Sequence, residues 1–373
     1  MFTSSAARPD RGQRRRQVRL AIVADDLTGA LDVSAPLAAR GLRVVVATGP
    51  GAAAPAIESD ADVVVVNTAS REGLPEDAGE IVGQVSRRLA AAQPEWALKK
   101  IDSRLKGHVA IEVAAMMQAF GRNRTLVAPA VPSQGRVVRG GQVVGHGVGE
   151  PIAIADAMGQ VPYEAPDTAD ATALDKLLGI ATPDTLLVGA SGLGVALGQR
   201  LAERPAPAVP AVSGPLLAVV GSQDPITKRQ VAVALAGARL RHVVSADGAL
   251  GALATEPTLV QAVISQDEDF GPAMQRFGRS VAERLRHGGF GGVLLSGGET
   301  AQTVLQALDI TCLEVLGEVL PGIPVTRATL GDRSLTVLTK SGGFGTPQDI
   351  LRLSKLFENA DPITDYASAG EQR

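Results

Sequence analysis

VRLAIVADDLTGALDVSAPLAARGLRVVVA, residues 18–47, is the stretch that decides the fold class. Residues 18–24 form an apolar run of strand length. The polar turn Asp25-Asp26-Leu27-Thr28-Gly29 follows. Residues 30–40 then carry a helical pattern, and Gly41 stands at the C′ position, where a left-handed residue closes a helix. Residues 42–47 make a second strand. Strand, helix and strand in so short a span is a βαβ unit, and such units imply a mainly parallel sheet.

Working outward, the rhythm continues. Residues 62–66 are nearly all valine, as in a strand covered on both faces. Pro75 opens a helix running to about Gln93. Residues 96–99 and 125–128 read as strands, with a helix over 109–120 ending at Gly121. Residues 137–144 (VVRGGQVV) break the pattern as a β-hairpin on a Gly140-Gly141 turn. That hairpin either covers an edge or serves as a homodimer contact. A strand at 185–188 and a helix at 192–201 resume the alternation.

Residues 204–215 (RPAPAVPAVSGP) have no periodicity and read as a linker. Beyond it lie strands at 216–220, 242–245, 292–295 and 335–339. Helices are read at 226–236, 271–286, 300–308 and 347–357. The polar end, 358–373, is read as frayed. The expected architecture is α/β with two domains, 18–203 and 216–358. Each is a mainly parallel sheet flanked by helices, and the first carries a β-hairpin insertion.

Bulk properties narrow the function. The chain has 373 residues, enough for two cores. Net charge is −3 and aromatics are 3%, so there is neither a basic field nor a stacking surface for nucleic acid. The one basic cluster, within 8–19 and including Arg14, Arg15 and Arg16, reads as a solvated tail. A single cysteine, Cys312, excludes an intrachain disulfide. His108, His146, His242 and His287 lack metal-ligand spacing, so no metal held by protein side chains is expected. No apolar run of about 18 residues suggests a membrane span. No secretory signal is evident either, so the expected location is cytoplasmic.

Ligands of open parallel sheets sit beyond the carboxyl ends of strands. In the first block three such places are unusually polar. They are Asp25 to Gly29, Asn67-Thr68-Ala69-Ser70-Arg71, and Lys100-Ile101-Asp102-Ser103-Arg104-Leu105-Lys106-Gly107. Arg71 could fork a carboxylate and Lys100 could meet it as a point charge. Asp26 and Asp102 could accept from substrate hydroxyls, one of them as general base, with Ser103 and Thr28 as neutral partners. A small polyhydroxy acid suits that inventory. The plainer alternative is that Asp25 caps the first helix and that Lys100 pairs with Asp102 on the surface.

The second block places glycine where the first places charge: Gly221-Ser222-Gln223-Asp224-Pro225, Ser296-Gly297-Gly298-Glu299-Thr300, and Lys340-Ser341-Gly342-Gly343-Phe344-Gly345. Glycines admit close backbone approach, and helix N-termini present free N–H groups to an anion, so the three together point to phosphate. No G-x-x-x-x-G-K-[ST] loop exists. Gly192-Leu193-Gly194 with Gly198 has dinucleotide-like spacing. It lacks a following strand with a ribose-binding acid and reads as close helix packing.

These motifs, in order, resemble the four-carbon acid sugar kinase family, whose members phosphorylate acids such as threonate, erythronate and 3-oxotetronate. VADDLTGALDVS, VNTASR, KKIDSRLKG and APAVPSQGR carry the resemblance in the first half. VVGSQDPITKRQ, LSGGETA, GEVLPGIP and TKSGGFG carry it in the second. The resemblance implies a sugar-acid domain followed by an ATP domain. By that analogy Asp26, Arg71, Lys100, Asp102 and Ser103 contact the acid, with Asp26 or Asp102 catalytic. Ser222, Gly297, Gly298, Glu299, Thr300, Gly342 and Gly343 contact ATP, and Mg2+ accompanies it. Arg104 stands where the family usually has Thr, and Glu299 replaces a frequent Asp. Two other readings stay open on the residues: a kinase for a different small hydroxy acid, and an NAD(P)-dependent oxidoreductase using 192–198.

Overall fold

Valine-rich segments pay little to extend, because β-branched side chains pack well on a pleated surface. The first half accordingly builds β1 (Leu20–Ala24), α1 (Leu27–Ala38), β2 (Val44–Ala47), α2 (Ala53–Ile57), β3 (Val63–Asn67), α3 (Pro75–Ala91), β4 (Trp96–Lys100), α4 (Val109–Phe120) and β5 (Arg124–Ala128). A small antiparallel sheet follows, made of β6 (Arg136–Arg139), β7 (Gln142–Gly145) and β8 (Ile152–Ala153). Then come α5 (Ile154–Met158), α6 (Ala171–Gly179), β9 (Thr185–Gly189) and α7 (Ser191–Leu201). The second half contains β10 (Leu216–Val220), α8 (Pro225–Gly237), β11 (Arg241–Ser245), β12 (Thr258–Ala262), α9 (Phe270–His287), β13 (Gly292–Ser296) and α10 (Gly298–Ala307). It ends with β14 (Cys312–Leu320), β15 (Ile323–Leu330), β16 (Arg333–Lys340) and α11 (Asp349–Asn359).

These coordinates come from a computed structural model that describes residues 17–202, 214–264 and 270–359. Most of the basic N-terminal cluster, most of the 204–215 linker and nearly all of the polar C-terminal end lie outside the described residues. Among the described residues no helix is long and apolar enough to cross a membrane.

The α/β class and the mainly parallel pairing hold. What the sequence did not foresee is that the two sheets join into one of 13 strands, ordered β11-β12-β10-β13-β16-β15-β14-β2-β3-β1-β4-β9-β5. The seam is the antiparallel pair β2–β14, with Cys312 opposite Ala47 and Val315 opposite Val44. One apolar core runs through both halves, from Leu31 and Val65 to Leu313 and Val293.

Three details depart from the sequence reading. The first helix begins at Leu27, not Ala30, because the Asp26 side chain accepts from Gly29 N at 2.9 Å and acts as its N-cap. Asp25 is therefore not the cap. Second, the strands β8, β12, β14 and β15 and the helices α2, α5 and α6 were not anticipated. Third, the hairpin does turn at Gly140 and Gly141, both with positive φ, but Val138 and Val143 are buried in this chain's own core.

Topology places the loops. In the first half β1 sits between β3 and β4, so the chain order reverses between β1 and β4. In the second half β10 sits between β12 and β13. Both points are switch points, where neighbouring loops diverge and leave a crevice at the strand ends. The loops after β1 and β4 are the charged ones, and those after β10 and β13 are glycine-rich.

Candidate active site

Lys99 and Lys100 end β4 and, being adjacent on a strand, point to opposite faces. Lys99 is fully buried and pairs with Glu112 of α4 at 2.9 Å. The other Glu112 oxygen accepts from the Ser70 hydroxyl, and Ser70 Oγ lies 2.8 Å from Thr68 Oγ1. This network lies beneath the loop after β3 and braces it. On the opposite face the Lys100 ammonium donates to Ile101 O at 2.8 Å and crowds Gly29, where a Cβ would lie 2.9 Å from it. Lys100 is therefore buried and does not pair with Asp102 on the surface.

Arg71 grips the loop after β1. Its Nε and Nη2 bond both oxygens of Asp25, at 2.9 and 2.8 Å, and Nη2 also reaches Asp26 Oδ1 at 2.8 Å. The fork expected to hold a substrate carboxylate is thus engaged by Asp25, because a buried carboxylate needs a partner more than a solvated ligand does. Burial opposes charge on Asp25, but Lys99, Arg71 and Lys100 outweigh it and hold the carboxyl below its ordinary range. Ala69 and Leu105, in the other two charged loops, adopt left-handed φ of 52° and 61°, a cost that such loops bear where the surroundings enforce it.

The charged loops converge. Asp26, Arg71, Lys100, Asp102 and Ser103 all line one cleft of about 280 Å³. Sequence reasoning missed several residues on the same wall. Asp32 is one turn beyond Thr28 on α1, and burial pushes its carboxyl up. The i, i+4 spacing from Thr28 could have flagged it. The second half supplies Asp224, Gly322, Pro324, Ser341, Gly343 and Phe344 to this cleft.

The glycine loops also converge. A Cβ on Gly297 would lie 3.3 Å from Ser222 Cβ and 3.1 Å from Thr300 Oγ1, and one on Gly342 would strike Ser222 Oγ at 2.4 Å. Ser222, Gly297, Thr300 and Gly342 therefore pack against one another. Gly298 and Glu299 face a second cleft of about 790 Å³, shared with Asp25, Asn67 and Gln302. Asp26, Thr28, Arg71 and Ser341 line both clefts.

Lys340 does not reach outward as a phosphate ligand would. Its buried ammonium donates to Ser341 O at 2.7 Å, Phe344 O at 3.1 Å and Gly342 O at 3.3 Å, and so holds the glycine loop from inside. Burial, only partly offset by Asp349 and Asp224, pushes its pKa down to about 8.

The halves touch directly. A Cβ on Gly298 would lie 3.4 Å from Thr28 Cγ2, and Asn67 Nδ2 donates to Gln302 Oε1 at 2.9 Å. The 192–198 glycines are used in packing, as the missing ribose-binding strand after them suggested. A Cβ on Gly194 would lie 2.5 Å from Val33 O of α1, and one on Gly192 2.3 Å from Ala130 O. No room is left there for a pyrophosphate.

Comparison with known proteins agrees with this layout. Residues 20–173 match the family described as sugar-binding N-terminal domain, and 253–350 match the nucleotide-binding C-terminal domain. The chain is 30% identical to the D-threonate kinase of Bordetella bronchiseptica over 89% of its own length and 95% of that protein. It is 27% identical to the 3-oxo-tetronate kinase of Pectobacterium atrosepticum over 91% and 99%. A crystal structure from Salmonella typhimurium LT2, 22% identical, has a TM-score of 0.74, covering 91% of this chain and all of that one, and shares the fold. With charged and glycine-rich crevices opening on a common junction, the chain belongs to the four-carbon acid sugar kinase family.

Proposed function

We propose that this chain is an ATP-dependent kinase that phosphorylates a hydroxyl of a four-carbon sugar acid of the threonate, erythronate or 3-oxotetronate type. The observation that carries the reading is the meeting of two helix N-termini, Asp26 and Thr28 of α1 and Gly298 of α10, where the two clefts join. A helix N-terminus stabilises an anion through free N–H groups and the helix dipole. Residues 18–203 would carry the acid and 216–358 the nucleotide.

The acid sits in the smaller cleft against Lys100, Asp102 and Ser103. The phosphates lie over α10 and the loops bearing Ser222, Gly297, Gly298, Glu299, Thr300, Gly342 and Gly343. The substrate hydroxyl oxygen bonds to the γ-phosphorus, the bond from that phosphorus to the bridging oxygen breaks, and ADP leaves. The hydroxyl proton passes to Asp26 or, alternatively, to Asp102. Asp26 Oδ1 is engaged by Gly29 and Arg71, so Oδ2, which holds only the Thr28 hydroxyl, is the oxygen that faces this task. Positioning supplies most of the rate in such a transfer.

Mg2+ would neutralise charge on the phosphates. Among the described residues no group of three acidic, His or Cys side chains could cage an ion. An ion carried by phosphates needs only one or two carboxylates, and Asp26 and Asp224 line the cleft. ATP as co-substrate fits a cytoplasmic location.

The test is ATP consumption over D- and L-threonate, D- and L-erythronate and 3-oxotetronate, with the phosphorylated position fixed by NMR. Silence across the panel would remove the four-carbon assignment. Arg104 on the cleft wall favours one second reading, a different small hydroxy acid as acceptor, which a wider panel would reveal.

A further inference from the structure

Arg136 opens β6 and lines the smaller cleft with Arg104. Its Nη2 donates to Gln134 Oε1, while its Nε is buried with no acceptor. Among the described residues neither Arg136 nor Arg104 has a carboxylate within ion-pair distance, although Asp102 and Asp32 lie near enough to act on Arg136 through space. Burial and repulsion from Arg104 press on its charge, and the two aspartates offset that only in part. A partly desolvated cation without a counter-ion is costly, and cheap to keep only if a ligand supplies the missing charge.

The other two cations of the cleft each have a partner within the chain, and Lys100 keeps donors free beyond the one it gives to Ile101 O. Arg71 has spent Nε and Nη2 on Asp25 and Asp26, and Lys100 is bonded to Ile101 O. We propose that Arg136, seconded by Arg104, holds the carboxylate of the acid, while Arg71 acts on the site by positioning Asp25 and Asp26. This rests on the sugar-acid reading above. It adds that the carboxylate end of the substrate points toward β6 and the 128–136 loop, away from α10. The hydroxyl end is thereby left at the Asp26 junction. Guanidinium is the right group for the task, since it stays charged and offers parallel donors to a planar anion.

The test uses the full chain, calorimetric binding and steady-state kinetics, with the best-bound acid of the panel and its neutral amide. Wild type should prefer the acid. Arg136→Gln should weaken acid binding roughly 10- to 100-fold, the range of a charge-assisted hydrogen bond. It should bring acid and amide close together and leave the KM for ATP within about twofold. Arg136→Lys should recover part of the preference, and Arg104→Thr should lose less than Arg136→Gln. An unchanged acid-to-amide ratio in Arg136→Gln, or equal losses for acid and amide, would overturn the assignment. Binding and turnover separate the two ideas. A wild type that binds the acid without phosphorylating it sinks the kinase reading while the binding ratio still scores Arg136, and one that binds no acid sinks both.

Discussion

Arg71 meets both oxygens of Asp25 along one edge of its guanidinium, and the same Nη2 reaches Asp26. One side chain thus ties the loop after β3 to the loop after β1, and its partner Asp25 is 1% exposed. Arg71→Ala leaves that carboxylate buried without its hydrogen-bonded cation, which should cost about 3 kcal/mol of stability. It should also lower kcat, because Asp26 loses a fixed position. Urea unfolding and acid kinetics would check this. A rise in acid KM with unchanged stability and kcat would mean that Arg71 serves the substrate alone.

Two buried aspartates near the junction of the clefts, Asp25 and Asp32, should respond oppositely to pH. Asp25 titrates below its unfolded value, so its contribution is complete above about pH 4 and is lost as pH falls through the folded value. Asp32 titrates above its unfolded value, so the folded chain binds that proton more readily and loses stability as pH rises through the window. Asp25→Asn should lower Tm at pH 7. Asp32→Asn should raise Tm at pH 8 and do little at pH 4. An equal change for Asp32→Asn at both values would contradict its raised pKa.

Lys340 titrates near 8, below the roughly 10.4 of a free lysine. Its charged form is therefore disfavoured on folding. That penalty is full below about pH 8 and disappears as pH climbs toward the unfolded value. The loop pays differently, since the neutral amine has fewer donors for Ser341, Gly342 and Phe344. The KM for ATP should rise from pH 7 to 9 in wild type. In Lys340→Met it should start high and stay flat over that range.

Glycines in the two halves should fail in different ways. Gly342→Ala drives a methyl against Ser222 Oγ and should raise the KM for ATP several-fold with little change in Tm. Gly194→Ala drives one into Val33 O, a backbone atom that cannot turn away, and should cost about 1–3 kcal/mol as overpacking. Its ATP KM should stay near wild type. The reverse pattern would return nucleotide binding to the 192–198 segment.

Much of the fold was legible because local rules governed it. The helix Val109–Phe120, closed by left-handed Gly121, and the strand Leu216–Val220 stand where hydrophobic pattern and glycine placed them. The β14–β15 hairpin was not read, although Pro321-Gly322 is a turn signal between apolar runs. Its alternation is broken by a bulge at Gly317 and by half-buried polar positions such as Glu318. Of the site, the sequence marked the charged loops but not that Arg71 bonds Asp25 and Asp26, because that pairing joins two loops that are far apart along the chain.

The order of strands and helices, the charged loops and the glycine loops were determined by the sequence alone, because each depends on residues close along the chain. That the two loop sets share one cleft was decided only by tertiary structure. Three antiparallel junctions, β2–β14, β14–β15 and β15–β16, reverse the second half relative to the first. In a flat sheet the two crevices would open at opposite ends. Six strand steps separate β1 from β13, and at roughly 20–25° per step the sheet twists by about 120–150°. That rotation turns the carboxyl ends back toward each other, and no local pattern in the chain encodes it.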